Sequence, residues 1–151
     1  MSGQSPQEIA EAASAAMWQG DRATAAAGMT LAEIGPGRAV ITMRVREDMV
    51  NGHGICHGGY IFLVADSAFA FACNAYNQRT VAQHCAITFL QAARLGDILT
   101  ARAGEVSRAG RGGIYDITVT RGGSEVIAEF RGHSRKVKGE IVPGLTPAAG
   151  A

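Results

Sequence analysis

Charge is what this chain has least of. Charged residues make up 18% of its 151 positions and nearly cancel, 14 basic against 13 acidic, for a formal net charge of +1. No basic block stands out, which argues against nucleic acid as the main partner, because phosphate neutralisation needs a concentrated basic surface. A local patch for one small anion is as much as these cations could build. Cysteine is also scarce: Cys56, Cys73 and Cys85 are an odd number and form no CxxC pair. The segment Met1–Trp18 lacks the basic start and apolar run of a secretory signal. Free thiols and a cytoplasmic location are therefore expected. Low charge does not mean disorder here, since 47% of the residues are apolar and the length suits one domain around one core.

Three regions are expected: an N-terminal helix and linker over 1–26, a main domain over 27–138, and a flexible tail over 139–151. Ser5-Pro6-Gln7-Glu8 reads as a helix start, with Ser5 as cap, Pro6 at the first turn and Glu8 closing a capping box. Ile9, Ala13, Ala16 and Met17 mark its apolar stripe. Strands are expected near Met29–Ile34 and Arg38–Val45, separated by the turn Gly35-Pro36-Gly37. Thr80–Leu95 reads as a further long strand. Asp97–Lys136 reads as an antiparallel meander turned at Gly112-Gly113 and Gly122-Gly123, with Tyr115, Ile117 and Val119 on one face and Val126, Ala128 and Phe130 on another.

Gly58–Asn77 is different: apolar residues fall on every face, which predicts a helix buried all round. Its length would suit a membrane span, but Asp66 at its middle makes that costly, and no membrane association is expected. A buried helix with five or six antiparallel strands predicts an α+β domain in which a curved sheet wraps that helix.

Asp66 is the one charge in this helix. Burial should raise its pKa and make it a base or nucleophile nearer neutral pH; a purely structural hydrogen bond to Ser67 or a strand is the plainer alternative. The helix is entered through Asn51-Gly52-His53-Gly54-Ile55-Cys56-His57-Gly58-Gly59. Unpaired N–H groups at a helix start, approached past glycines, have the geometry of an oxyanion hole. Asp66 lies eight residues after Gly58, roughly 12 Å along a helix axis. One reacting carbonyl cannot touch both groups of one chain. If both act on it, the second comes from another copy packed antiparallel across a two-fold axis.

The run NGHGICHGGYIFLVADSAFAFACN, Asn51–Asn74, resembles the signature of hotdog-fold thioesterases of the phenylacetic-acid-degradation group. The likeness continues through Thr88-Phe89-Leu90, Gly96-Asp97, Gly113–Ile117 and Phe130-Arg131-Gly132, and covers about Ala27 to Val137. It implies a hotdog fold and hydrolysis of aromatic acyl-CoA esters, without metal and without any cofactor beyond the coenzyme A of the substrate. Asp66 would drive hydrolysis, Gly58 of the opposite subunit would donate its N–H to the carbonyl, and Asn51 and His57 would line the pocket. It also implies a homodimer at least, and a homotetramer built from two dimers. Many relatives carry a basic residue and proline where Gln91-Ala92 stands here, which leaves coenzyme A contacts at that edge open.

Gly59, Tyr60 and Phe62, with Phe69, are candidates for the acyl pocket. Arg108, Arg111, Arg135, Lys136 and Lys138 are candidates for the coenzyme A phosphates. The scattered His and Cys match no zinc pattern, so no metal is expected, and Cys56 beside His57 lacks the third group of a thiol triad. Two rivals stay open: an acyl-CoA hydratase or dehydratase using His57 with Asp66, and a non-catalytic acyl-CoA-binding module.

Overall fold

The computed structural model describes residues 3–145. Helix α1 (Pro6–Gly20) starts with the expected capping box, in which the Ser5 hydroxyl accepts from the Glu8 N–H and the Glu8 carboxylate accepts from the Ser5 N–H. Its buried face is Ile9, Ala10, Ala13 and Ser14, with Trp18 reaching the Phe71 ring at 5.7 Å between centroids. Ala16, expected on that face, is exposed. A short α2 (Arg22–Ala26), capped by Asp21, leads into the sheet.

Six strands form one antiparallel sheet: β1 (Thr30–Gly35), β2 (Arg38–Arg44), β3 (Gln78–Phe89), β4 (Ile98–Ala109), β5 (Gly112–Arg121) and β6 (Glu125–Glu140). Their order is β1-β2-β4-β5-β6-β3, so β4-β5-β6 are the expected meander while β3 crosses over to pair with β6. Inward residues alternate as a half-buried sheet requires: Ala39, Ile41 and Met43 on β2, Leu99, Ala101 and Ala103 on β4, Tyr115, Ile117 and Val119 on β5. On β6 the alternation breaks. A register shift opposite Val119/Thr120 leaves Ile127 as an extra residue, so Ile127 and Ala128 are both buried and Val126, expected inward, is exposed. The Ile127 carbonyl accepts from the N–H groups of both Leu90 and Gln91, which is where the chain leaves β3.

Helix α3 (Gly58–Cys73) lies across the concave side of the sheet. It ends four residues before the expected limit because Asn74 turns back: its amide donates to the Ala70 and Thr80 carbonyls and its oxygen accepts from the Thr80 N–H. Nor is α3 buried all round. Gly59 is exposed and Phe62, Leu63, Asp66 and Ala70 keep partial exposure, and their spacing of three and four places them on one stripe. The sheet covers the other faces and leaves this one open.

β6 runs on to Glu140, and Asn77 then holds Val142 through its side chain at 2.8 and 2.9 Å. Residues 146–151 of the expected tail lie outside the described residues. Among the described residues, no helix is long and apolar enough to cross a membrane.

Candidate active site

The loop before α3 is built by Asn51. Its side-chain oxygen accepts from the His53 N–H at 2.9 Å, and its backbone N–H donates to the Ile55 carbonyl at 2.8 Å. Gly54, at φ +75°, lets the loop reverse. The returning strand is then pinned, Cys56 N–H to the Ala93 carbonyl and His57 N–H to the Met49 carbonyl, each at 2.8 Å. The start of α3 therefore has a defined place against the sheet.

His57 is the N-cap of α3, and its Nδ1 accepts from the Gly59 N–H at 2.9 Å. An acceptor Nδ1 in a neutral ring places the proton on Nε2, so the assignment from this geometry makes His57 a donor through its outer nitrogen. Gly59 has spent its N–H on that cap. Gly58 has not: its N–H has no partner among the described residues. Gly58 is also a position of close approach, since a Cβ there would sit 3.0 Å from Cζ of Phe89.

Asp66 is half-buried on the open stripe of α3 and makes no hydrogen bond or ion pair among the described residues. The internal contact with Ser67 or a strand is not formed. Burial alone pushes its carboxyl above its ordinary value. Its charge is felt by the thiols of Cys73 and Cys85, each raised first by burial and then, among smaller causes, by Asp66. Cys85 belongs to β3, so the carboxylate sits toward the free edge of the sheet. Cys56 is pushed up to about 11, again mainly by burial, which makes it a poor thiolate at neutral pH. No group of three His, Cys, Asp or Glu side chains among the described residues is placed to hold a metal.

A cleft of about 380 Å³ opens beside the start of α3, lined by Asn51, Gly58, Ile61, Phe89, Leu90 and their neighbours. Asn51 and Gly58 of the expected residues meet there. Tyr60 is half-buried; Phe62 packs edge-on against Phe130 at 5.2 Å, and Phe69 is buried among Tyr115 and Phe130. Phe89 and Leu90 were missed as site residues. Continuing the alternation Cys85, Ile87, Phe89 along β3 would have aimed that ring at the helix.

The cations gather at the opposite end of the sheet. The β4–β5 turn carries Arg111, whose carbonyl accepts the Lys136 N–H at 2.8 Å, and Gly112 pairs with Arg135. Arg111, Arg135 and Lys136 form no ion pair among the described residues. Arg108 is already engaged: its guanidinium lies 3.4 Å from the Tyr76 ring centroid and its Nε 3.5 Å from Glu105, which also accepts the Tyr76 and Tyr115 hydroxyls.

A long helix held by one curved antiparallel sheet, with its acid on the stripe the sheet leaves bare, defines this as a hotdog-fold protein. The chain belongs to the thioesterase superfamily, whose family model matches residues 53–128. It is 40% identical over 126 residues to the acyl-coenzyme A thioesterase PaaI of Escherichia coli (strain K12), covering 83% of this chain and 90% of that protein. The structure of the E. coli PaaI protein from the phenylacetic acid degradation operon superposes with a TM-score of 0.88 at 38% identity, over 90% of this chain and 99% of that one. A mutant of the phenylacetic acid degradation protein PaaI from Thermus thermophilus gives 0.75 at 33% identity, over 78% and 100%.

Proposed function

We propose that this protein hydrolyses acyl-coenzyme A thioesters, with aromatic acyl groups of the phenylacetyl type as its substrates. Asp66 acts as base toward water or as nucleophile on the thioester carbonyl. The N–H of Gly58 from a second subunit donates to the carbonyl oxygen as negative charge develops there. His57, a donor through Nε2, and the Asn51 amide orient the thioester or the leaving thiolate. No cofactor is required, coenzyme A being part of the substrate.

One observation carries this reading. A carboxylate raised by burial and an N–H at a helix tip both lack partners, on the same helix, roughly 12 Å apart along its axis. Within one chain they serve nothing together; across a two-fold axis they converge. Support for such a pairing comes from the surface. The stripe of α3 that bears Asp66 also bears Phe62 and Leu63. Beside it β3 offers twelve residues of edge strand with Val81 46% exposed, an edge that soluble proteins cover or blunt. A second copy meeting both covers them at once, and a pair of such dimers completes the tetramer. The unpaired Arg111, Arg135 and Lys136 hold phosphate groups of coenzyme A, with Arg108 contributing from its stacked position.

The test is release of free thiol from a panel of aromatic and aliphatic acyl-CoAs. Asp66→Ala should keep fold and oligomer and lose at least ~100-fold in kcat, the scale of a missing general base. Full turnover by that variant would refute the assignment.

A further inference from the structure

We propose that Phe89 is the specificity-determining residue of the acyl pocket, its ring forming the wall against which a flat aromatic acyl group packs; this rests on the thioesterase reading above. The placement follows from β3. Cys85, Ile87 and Phe89 alternate toward the helix, and the last of them reaches the first residue of α3, with Cζ, Cε1 and Cε2 at 3.0, 3.3 and 3.5 Å from a Cβ built on Gly58. The ring thus covers the residue whose N–H is unpaired. A carbonyl oxygen that takes that N–H brings its own substituent against the ring.

The surroundings state what that substituent is. Phe89 is 50% exposed and Leu90 54% exposed, side by side in one cleft. Large apolar side chains left bare together in a concave site are binding surface. The rest of that wall is Ile55, Ile61 and Ala92, and the only polar side chains among the lining residues, apart from the Cys56 thiol, are Asn51 and Gln91. Among the described residues no charged side chain of this chain lines the cleft, so a carboxylate or ammonium on the acyl group would find no partner in this wall. The cleft, of about 380 Å³, has room for a ring with its linking methylene. Ring stacking on Phe89 is the one interaction here that distinguishes an aromatic group from an alkyl group of equal size.

Phe89→Leu and Phe89→Ala test this, with kcat and KM measured for phenylacetyl-CoA and hexanoyl-CoA, and with subunit assembly followed by light scattering. The phenylacetyl-to-hexanoyl ratio of kcat/KM should fall about 3- to 10-fold in Phe89→Leu, the worth of one aromatic contact, and further in Phe89→Ala. The change should appear in the KM for phenylacetyl-CoA, because stacking is felt equally by ground and transition states. An unchanged ratio in folded Phe89→Leu overturns the proposal, as does a change of assembly with selectivity intact. If Phe89→Ala does not fold, Phe89→Leu decides alone. Should the wild-type protein release thiol from no acyl-CoA, the hydrolytic reading fails. The role of Phe89 is then read from the ratio of calorimetric Kd values for the same two ligands, wild type against Phe89→Leu.

Discussion

Gly58→Pro isolates the N–H at the tip of α3. Gly58 is the first helical residue, where a proline ring suits the backbone and the missing N–H breaks no helical bond. The residue before it must be extended, and His57 already is, at φ −59° and ψ 132°. The new Cβ would stand 3.0 Å from Cζ of Phe89, a half-exposed ring that can yield by a few tenths of an ångström. The fold should therefore survive while one oxyanion donor is lost, at a cost of about 10²- to 10³-fold in kcat. The sharper result comes from combining this variant with Asp66→Ala. If the donor and the acid of each site come from different chains, a mixed dimer has one site with both groups removed and one with both intact. Mixed dimers purified on two tags should recover about half of the wild-type activity per dimer, from two nearly inactive parents. Thiol release after co-expression is the readout. Mixed dimers no more active than the parents would place both groups of one site on one chain and refute the reasoning, as would full turnover by Gly58→Pro.

Asp66→Asn should raise thermal stability at neutral pH while lowering activity. Its folded pKa lies above the unfolded one, so ionisation costs stability once the pH exceeds the unfolded value, and the cost is complete above the folded value. Wild type and variant should melt together in acid and diverge toward neutrality with the variant higher, by about 2–4 °C for each kcal/mol released; an Asn variant less stable than wild type at pH 7 would contradict the absence of a partner for Asp66. Wild-type hydrolysis should lose its rate on acidification at a pH above the ordinary carboxylate range, a limb that a rate profile locates. Replacing Arg111 and Lys136 together by serine should raise KM for acyl-CoA about 3- to 10-fold with kcat kept, and should leave a thioester of N-acetylcysteamine, which carries no phosphate, unaffected.

Much of this fold was legible because its signals are local. The Ser5–Glu8 box, the Gly122-Gly123 turn between β5 and β6 and the alternation Tyr115, Ile117, Val119 each stand within a few residues, and each formed as read, whereas the β4–β5 turn falls at Gly110-Arg111 and the expected turn residues Gly112 and Gly113 are already paired in β5. What escaped was non-local. Asn74 ends α3 through Thr80, a strand residue beyond the turn. The extra residue Ile127 exists because the exit of β3 at Leu90 and Gln91 needs its carbonyl. The pairing of β3 with β6 follows from closure of the whole sheet and from no pattern in either strand. Of the proposed site, Asp66 and Gly58 were legible as chemistry out of place, a charge in an apolar helix and glycines at its start. Phe89 was not, since an aromatic at a strand end reads as core until its contact with a residue 31 positions earlier is seen.

The open stripe of α3 explains why these residues were chosen over safer ones. A helix meant only to fill a sheet would carry no acid at Asp66, and a sheet meant only to cover it would leave neither Phe62 and Leu63 partly bare nor the outer edge of β3 without a partner strand. The same stripe holds the costly charge and the apolar surface that a second copy can cover. Burial of that surface on association would stabilise the proposed dimer by about 25 cal/mol for each Å² removed from water, and the same act would dehydrate the carboxylate further and raise its pKa again. In the proposed dimer, assembly and activation of Asp66 would be one event, so dilution below its dissociation constant should lower activity and the pH of the acid limb together.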